Sequence, residues 1–400
     1  MSTSSPLPVF DFPWALRQPR PVQSISLSLL ALAVLVSSAA TARAQSDPLD
    51  VQHGGGFGCG LTARGEVRCW GANDRGQLGR GGRDDVTHAD AAPVVGLPDP
   101  ARAIAVGTFH TCAAQTDGRV WCWGRNDDGQ LGDGTAIDRG APAAVPGVTG
   151  AIDVAAANEW TCALLGGGGV MCWGSNDYQQ LAVRGLERRP TAGAIPRVRN
   201  AVELSVGPHH ACVRHRDGTV SCWGGNEYAQ SGTGRRGAPA PAHRVAGVAH
   251  AAEIEVGETF SCARSEAGSV LCWGQNIFGS SDPMAAVFAR PTPMVGVADV
   301  LDLTAHSAED VCALLRGGAV WCTGVSRDGQ IFRPEDASTM RALPSLPGVG
   351  AAFRVRVSGP VVCVWNQTGA PLCWGGSGPS TALGTGARAP SLVPAALRGF

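Results

Sequence analysis

Fourteen cysteines fall in seven pairs whose members are always ten residues apart: Cys59 with Cys69, Cys112 with Cys122, Cys162 with Cys172, Cys212 with Cys222, Cys262 with Cys272, Cys312 with Cys322, and Cys363 with Cys373. First members of successive pairs are separated by 53, 50, 50, 50, 50 and 51 residues. A period this constant marks one supersecondary unit repeated seven times.

Ahead of the array, Ile25 to Val36 is a twelve-residue apolar run preceded by Arg17 and Arg20 and followed by Ala42-Arg43-Ala44. The run is short for a bilayer span, and the small-x-small tripeptide fits signal cleavage after Ala44. Residues 1–44 are therefore expected to be a signal peptide, with an uncleaved anchor as the alternative. No cysteine at the junction supports lipid attachment, and no membrane span is expected after cleavage. Residues 45–400 divide into seven repeats of about 51 residues, which leaves no room for a separate catalytic domain. The expected location is secreted or periplasmic.

All 32 basic residues are arginine, so chemistry built on a lysine Schiff base or a phosphate-loop lysine is excluded. Arginine throughout, with abundant Ala and Gly, suggests a bacterial source with a GC-rich genome. The formal net charge is −1, or −3 for residues 45–400 with 29 basic against 32 acidic residues. That balance supplies no field for nucleic acid or an anionic membrane, and neither is expected as a partner.

Repeat two carries the plainest pattern: Ala103 to Gly107, Phe109 to Gln115, Asp117-Gly118, then Arg119 to Gly124. Asp-Gly between two short apolar or alternating runs predicts a hairpin, because glycine accepts the positive φ of a tight connection. A polar turn, Asn126 to Gly132, precedes a Pro-bounded stretch from Pro142 to Val148, the candidate fourth strand. Four short strands per repeat without helical periodicity predict an all-β fold, a seven-bladed β-propeller of four-stranded antiparallel blades. A sandwich or solenoid is the alternative, and the period is long for solenoid coils.

His110-Thr-Cys-Ala, Val120-Trp-Cys-Trp-Gly-Arg-Asn126 and Gly129-Gln-Leu-Gly132 resemble the repeats of the regulator of chromosome condensation family, as do Cys69-Trp-Gly-Ala-Asn73 and Gly76-Gln-Leu-Gly79. The resemblance implies a seven-bladed propeller over the whole of residues 45–400, here in an exported, bacterial-type member. It erodes after the second copy: copy five ends Gly279-Ser-Ser, copy six has Thr323 in place of the Trp, and copy seven keeps only Trp374-Gly375.

Cysteines ten apart across a hairpin turn face each other on adjacent antiparallel strands, so seven disulfides within repeats are expected. Reduced, buried cysteines are the alternative, and no Cys-x-x-Cys or Cys-His spacing supports zinc. Neither metal nor cofactor is expected. Trp70, Trp123, Trp173, Trp223, Trp273 and Trp374 each follow the second cysteine and point to the opposite sheet face, where packing between blades outweighs a role as a sugar platform. Asn73, Asn126, Asn176, Asn226 and Asn276 are expected to bond turn backbone.

Binding residues belong where repeats differ. The loops before each first cysteine share one face with the loops between third and fourth strands, and they offer Phe57, Phe109, His110, Glu159, Trp160, His209, Glu258, Phe260, Glu309 and Asp310. Aromatic anchors with polar surroundings suit a protein interface, although the last aromatic or His of each set could equally be core. The leading expectation is a monomeric scaffold that holds a partner protein or cell-surface component, in one version an inhibitor of an extracellular enzyme, since some exported members of this fold resemble β-lactamase inhibitor proteins. A carbohydrate or cell-wall module is the alternative. An enzyme built on His209, His210, Glu159 and Glu258 would lack a nucleophile elbow, a zinc signature or a phosphate loop.

Overall fold

The computed structural model describes residues 48–277, 285–306, 310–324, 351–367, 370–375, 383, 391–398 and 400. The expected signal segment lies outside them. Residues 43–400 form one compact unit, a ring of seven antiparallel sheets. Six sheets have four strands, and the sixth in chain order has three among the described residues. Strand order within every sheet is sequential, so each described blade is built from a single repeat.

Blade 4 shows the plan. Its innermost strand is Ala201–Val206, followed outward by His210–His215, Val220–Gly224 and Ala240–Arg244. In blade 2 the outer strand is Arg139–Ala144, three residues ahead of the expected stretch. The strand starts early because it pairs Gly124 with Arg139 and Cys122 with Ala143 around a bulge, and it ends before Val145 and Pro146, where Gly147 turns the chain at φ 78°.

The paired cysteines occupy directly opposed positions on the second and third strands of every blade. Cys59 faces Cys69, Cys112 faces Cys122, Cys162 faces Cys172 and Cys212 faces Cys222. In the later blades Cys262 faces Cys272, Cys312 faces Cys322 and Cys363 faces Cys373. All seven pairs are disulfide-bonded, with Cα separations of 4.0–4.1 Å, as the spacing predicts. The cysteines are almost wholly buried, so the bridges are part of the packing as well as staples. Closing a ten-residue loop is worth roughly 2–3 kcal/mol in the chain-entropy account, less where a hairpin is already local. Non-reducing peptide mapping is expected to find every cysteine joined within its own repeat; a bridge between repeats would contradict the pairing.

Apolar burial is divided among seven wedges, each between successive blades. Trp160, Cys162 and Leu164 of blade 3, for example, pack with Leu204, Val213 and Trp223 of blade 4. The Trp after the second cysteine is fully buried wherever it occurs. Its indole N–H reaches back one blade: Trp123 donates to the Gln77 carbonyl at 2.9 Å, Trp173 to Gln130 at 2.9 Å, Trp223 to Gln180 at 2.8 Å and Trp273 to Gln230 at 2.9 Å. The same glutamines fold their own turns, Gln130 Oε1 accepting from Asp128 N and Gln180 Oε1 from Tyr178 N. Asn126 and Asn176 complete those turns by accepting from Leu131 N and Leu181 N. The repeated Asn and Gln thus satisfy buried backbone groups that no strand pairs.

The ring closes between blades 7 and 1 without strand exchange. His53 N donates to Ser358 Oγ at 2.6 Å, Ser358 Oγ donates to the His53 carbonyl at 3.1 Å, and the Arg354 guanidinium bonds the Leu49 carbonyl. The Phe400 ring meets Trp70 edge-on, and Ser391–Ala396 is the outer strand of blade 7.

Candidate functional site

The loop that joins the first two strands of each blade ends on a residue opposite a glycine of the third strand. Phe57 faces Gly71, His110 faces Gly124, Trp160 faces Gly174 and Phe260 faces Gly274. These glycines have φ of 99–107°, and a Cβ on any of them would come within 2.4–2.7 Å of the facing loop's backbone. The close approach drives the facing side chain into the wedge between blades. Phe57, His110, Trp160, Phe260 and Asp310 are accordingly at most 1 % exposed and form core plugs. Trp160 donates its indole N–H to the Gly207 carbonyl at 3.0 Å, and His110 Nε2 bonds Thr161 Oγ1 at 2.8 Å. Thr161 Oγ1 spends its own proton on the Gln130 carbonyl, so His110 is the donor and carries hydrogen on Nε2. Burial holds the His110 and His210 imidazoles down at about 3, neutral at physiological pH.

Phe109, Glu159, His209 and Glu258 are the remaining described candidates, all part-exposed on the loop face. Glu309 lies outside the described residues. His209 and His210, neighbours in sequence, separate: His210 bonds Ser261 of the next blade at 2.7 Å, while the His209 ring lies 3.9 Å from the Tyr178 ring. Glu159 sits 3.6 Å from Arg125, which also binds Asp127 at 2.8 Å. Burial raises the Glu159 carboxyl above its usual range, Arg125 opposes this, and Asp128 and Asp177 add to it.

Tyr178 and Tyr228 were not singled out by sequence reasoning. They are the two tyrosines of the chain, 50 residues apart at the same turn position of blades 3 and 4. Tyr178 is 38 % exposed, and Arg236 lies over the Tyr228 ring at 5.6 Å. The clue was available: repeats one and two carry Arg75 and Asp128 there. Together with Glu159, Asp177, His209 and Glu227 the two rings make an aromatic and acidic arc on blades 3 and 4, in which Asp177 acts on Glu159 and Glu227 on His209 electrostatically.

A second feature, also missed, is the central channel, a cavity of about 440 Å³ bounded by the innermost strands. Alternate residues of those strands lace blade to blade. Glu203 accepts from Ile254 N, Glu253 from Leu303 N and Asp302 from Val355 N, each at 3.0 Å. Two residues further along, Gln52, Ser205 and Thr304 accept from Val106, Val256 and Val357 N. Arg214 and Arg264 pair with Glu203 and Glu253 at 2.6 and 2.7 Å. Burial raises Asp153 to about 7 and Glu255 well above a normal carboxyl. Burial works against the Arg356 charge, but Asp50, Asp302, Glu255 and Glu253 outweigh it and hold the guanidinium firmly protonated. Among the described residues no group of three or more His, Cys, Asp or Glu is arranged to hold a metal ion.

A closed ring of disulfide-stapled blades with variable loops on one face and a laced polar channel defines a β-propeller scaffold. The sequence profile of the RCC1-like domain matches residues 19–340. The chain belongs to the RCC1-like family. Among relatives it is 44% identical over 92 residues to the human E3 ubiquitin-protein ligase HERC2, covering 22% of this chain and 2% of that protein. It is 34% identical over 92 residues to the Drosophila melanogaster regulator of chromosome condensation, covering 23% and 17%. The matched stretch is thus a small part of these relatives. Among solved structures, Prp20p of Saccharomyces cerevisiae has a TM-score of 0.71 at 22% identity, covering 88% of this chain and 87% of that one. Human WBSCR16 has a TM-score of 0.72 at 18% identity, covering 84% and 94%. These likenesses establish the fold.

Proposed function

We propose that this propeller is a non-enzymatic exported scaffold, that residues 1–44 are its cleaved signal, and that it holds a partner protein or cell-surface component through the loop face of blades 3 and 4. The observation that carries the reading is the tilted Tyr178–His209 ring pair, with Tyr228 at the matching turn of the next blade, part-exposed aromatic surface on loops fixed by Asn and Gln bonds from below. Interface hot spots favour such rigid aromatic anchors within a polar surround. Seven buried disulfides fit an oxidising compartment, which supports export. The solved yeast relative is described with binding to Gsp1p and histones, a precedent for a protein-binding propeller. The tryptophans that would serve a sugar platform are buried instead.

The test is capture of partners from culture supernatant or periplasm, with cross-links mapped by mass spectrometry. Cross-links are expected on the segments around Tyr178, His209 and Tyr228. Tyr178→Ala with Tyr228→Ala should weaken capture at least tenfold without lowering the melting temperature. Cross-links confined to the hairpin face, or glycan-array hits without protein capture, would overturn the reading.

A further inference from the structure

The hairpin face, opposite the loop arc, carries a recess of about 700 Å³ at blade 4. Its arginines and carboxylate are Arg197, Arg199, Arg216 and Arg244 against Asp217, which together carry a formal charge of +3. Arg197 and Arg199 come from the connection into Ala201–Val206, Arg216 from the turn after His210–His215, and Arg244 from the end of Ala240–Arg244. Asp217 is engaged by Thr219 at 2.5 Å and by Arg244 at 3.0 Å. Among the described residues no ion pair engages Arg197, Arg199 or Arg216, so three guanidiniums face solvent with their donors uncommitted.

Arg197 is the decisive residue. The equivalent position, two residues after the backbone N–H that bonds the third strand of the blade, is Gly96, Gly147, Gly247 and Gly296 in the other described connections, with φ of 92°, 78°, 89° and 80°. Arg197 adopts φ 68° at that place. A long L side chain enters this left-handed region only at an energetic cost, and such outliers gather at functional sites. A Cβ at any of the four glycines would meet nothing within 4 Å, so packing does not call for the arginine. The loop around it is built to hold still: His215 Nδ1 bonds the Arg199 carbonyl at 2.8 Å and Nε2 bonds Ser221 Oγ at 2.8 Å, while Arg216 N bonds the Asn200 carbonyl at 3.0 Å. At the Arg199 position the neighbouring connections carry Thr149, Ala249 and Ala298, so the charge is particular to blade 4.

We propose that this recess is an anion-binding site for an oligoanion whose charges are phosphate or sulfate esters. Guanidinium forks match the paired oxygens of such groups, and the volume exceeds what one isolated anion needs. Inorganic tripolyphosphate and a sulfated heparin tetrasaccharide separate the two sources in isothermal titration with the purified protein at low and moderate salt. Saturable binding of either, weakening as salt rises, is expected. Arg197→Gly with Arg199→Ala should raise the dissociation constant at least tenfold. Arg119→Ala, on the hairpin face of blade 2 and already paired with Asp117, should leave it unchanged. Because Arg197→Gly restores the residue used elsewhere, the variant is expected to fold with an equal or higher melting temperature. Absence of binding by both probes, equal binding by the double variant, or equal loss in Arg119→Ala would overturn the site.

Discussion

Trp160→Ala lowers the free energy of unfolding by about 3–5 kcal/mol, whereas Phe109→Ala and His209→Ala on the same face change it by less than about 1 kcal/mol. The residues were grouped as one candidate surface by sequence, yet Phe109 and His209 remain part-exposed while Trp160 does not. Trp160 is fully buried in the wedge between blades 3 and 4 and bonds the Gly207 carbonyl, so truncation leaves both a cavity and an unpaired acceptor. Phe260 occupies the equivalent wedge between blades 5 and 6 and is expected to follow Trp160. Since whole-domain stability is about 5–15 kcal/mol, the loss is a large fraction of the total. Chemical denaturation of the three variants decides the matter, and an unfolding midpoint for Trp160→Ala equal to that of the parent would refute the plug.

The second large effect is a pH-dependent gain from removing charge in the channel. Asp153, raised to about 7 by burial, and Glu255, raised well above the usual carboxyl range by the same cause, hold protons in the folded state that the unfolded chain releases near pH 4. Below about pH 4 both states are protonated and no penalty exists; above about pH 7 the folded state must carry the Asp153 charge in a recess, and Glu255 adds a penalty of the same sign. Stability from these groups therefore falls as pH rises through that window. His110 and His210 act oppositely: their folded values of about 3 mean that stability is lost as pH falls from about 6.5 toward 3. The two trends partly cancel in the parent, so the informative quantity is a difference between proteins. Asp153→Asn with Glu255→Gln should match the parent near pH 4 and exceed it by about 2–4 kcal/mol at pH 8. A margin that stays constant across that range would show that the channel carboxylates are not strained by burial.

Much of the molecule could be read in one dimension because its repeating contacts are local. Residues ten apart on a hairpin must face each other, which made the disulfides legible, from Cys59 and Cys69 in the first blade to Cys363 and Cys373 in the last. A Trp one residue on must point to the other side. The plugs were harder. Phe57, His110 and Trp160 resemble interface anchors in sequence, and only the glycine opposite each of them, held at φ near 100°, reveals that the loop is pulled inward. The tyrosine pair was visible as a repeat difference but carried no motif.

The chain by itself determined the period, the strand-turn-strand unit and the staples, since each rests on separations of a few residues up to one repeat. The tertiary structure alone decided ring closure between blades 7 and 1, the acidic lacing of the channel and the gathering of Arg197, Arg199, Arg216 and Arg244 at one recess. Net charge near zero concealed that cluster, because a sum over the chain keeps no record of which side chains closure brings together. Radial closure places the same turn of every blade on one face, and electrostatic fields follow that placement.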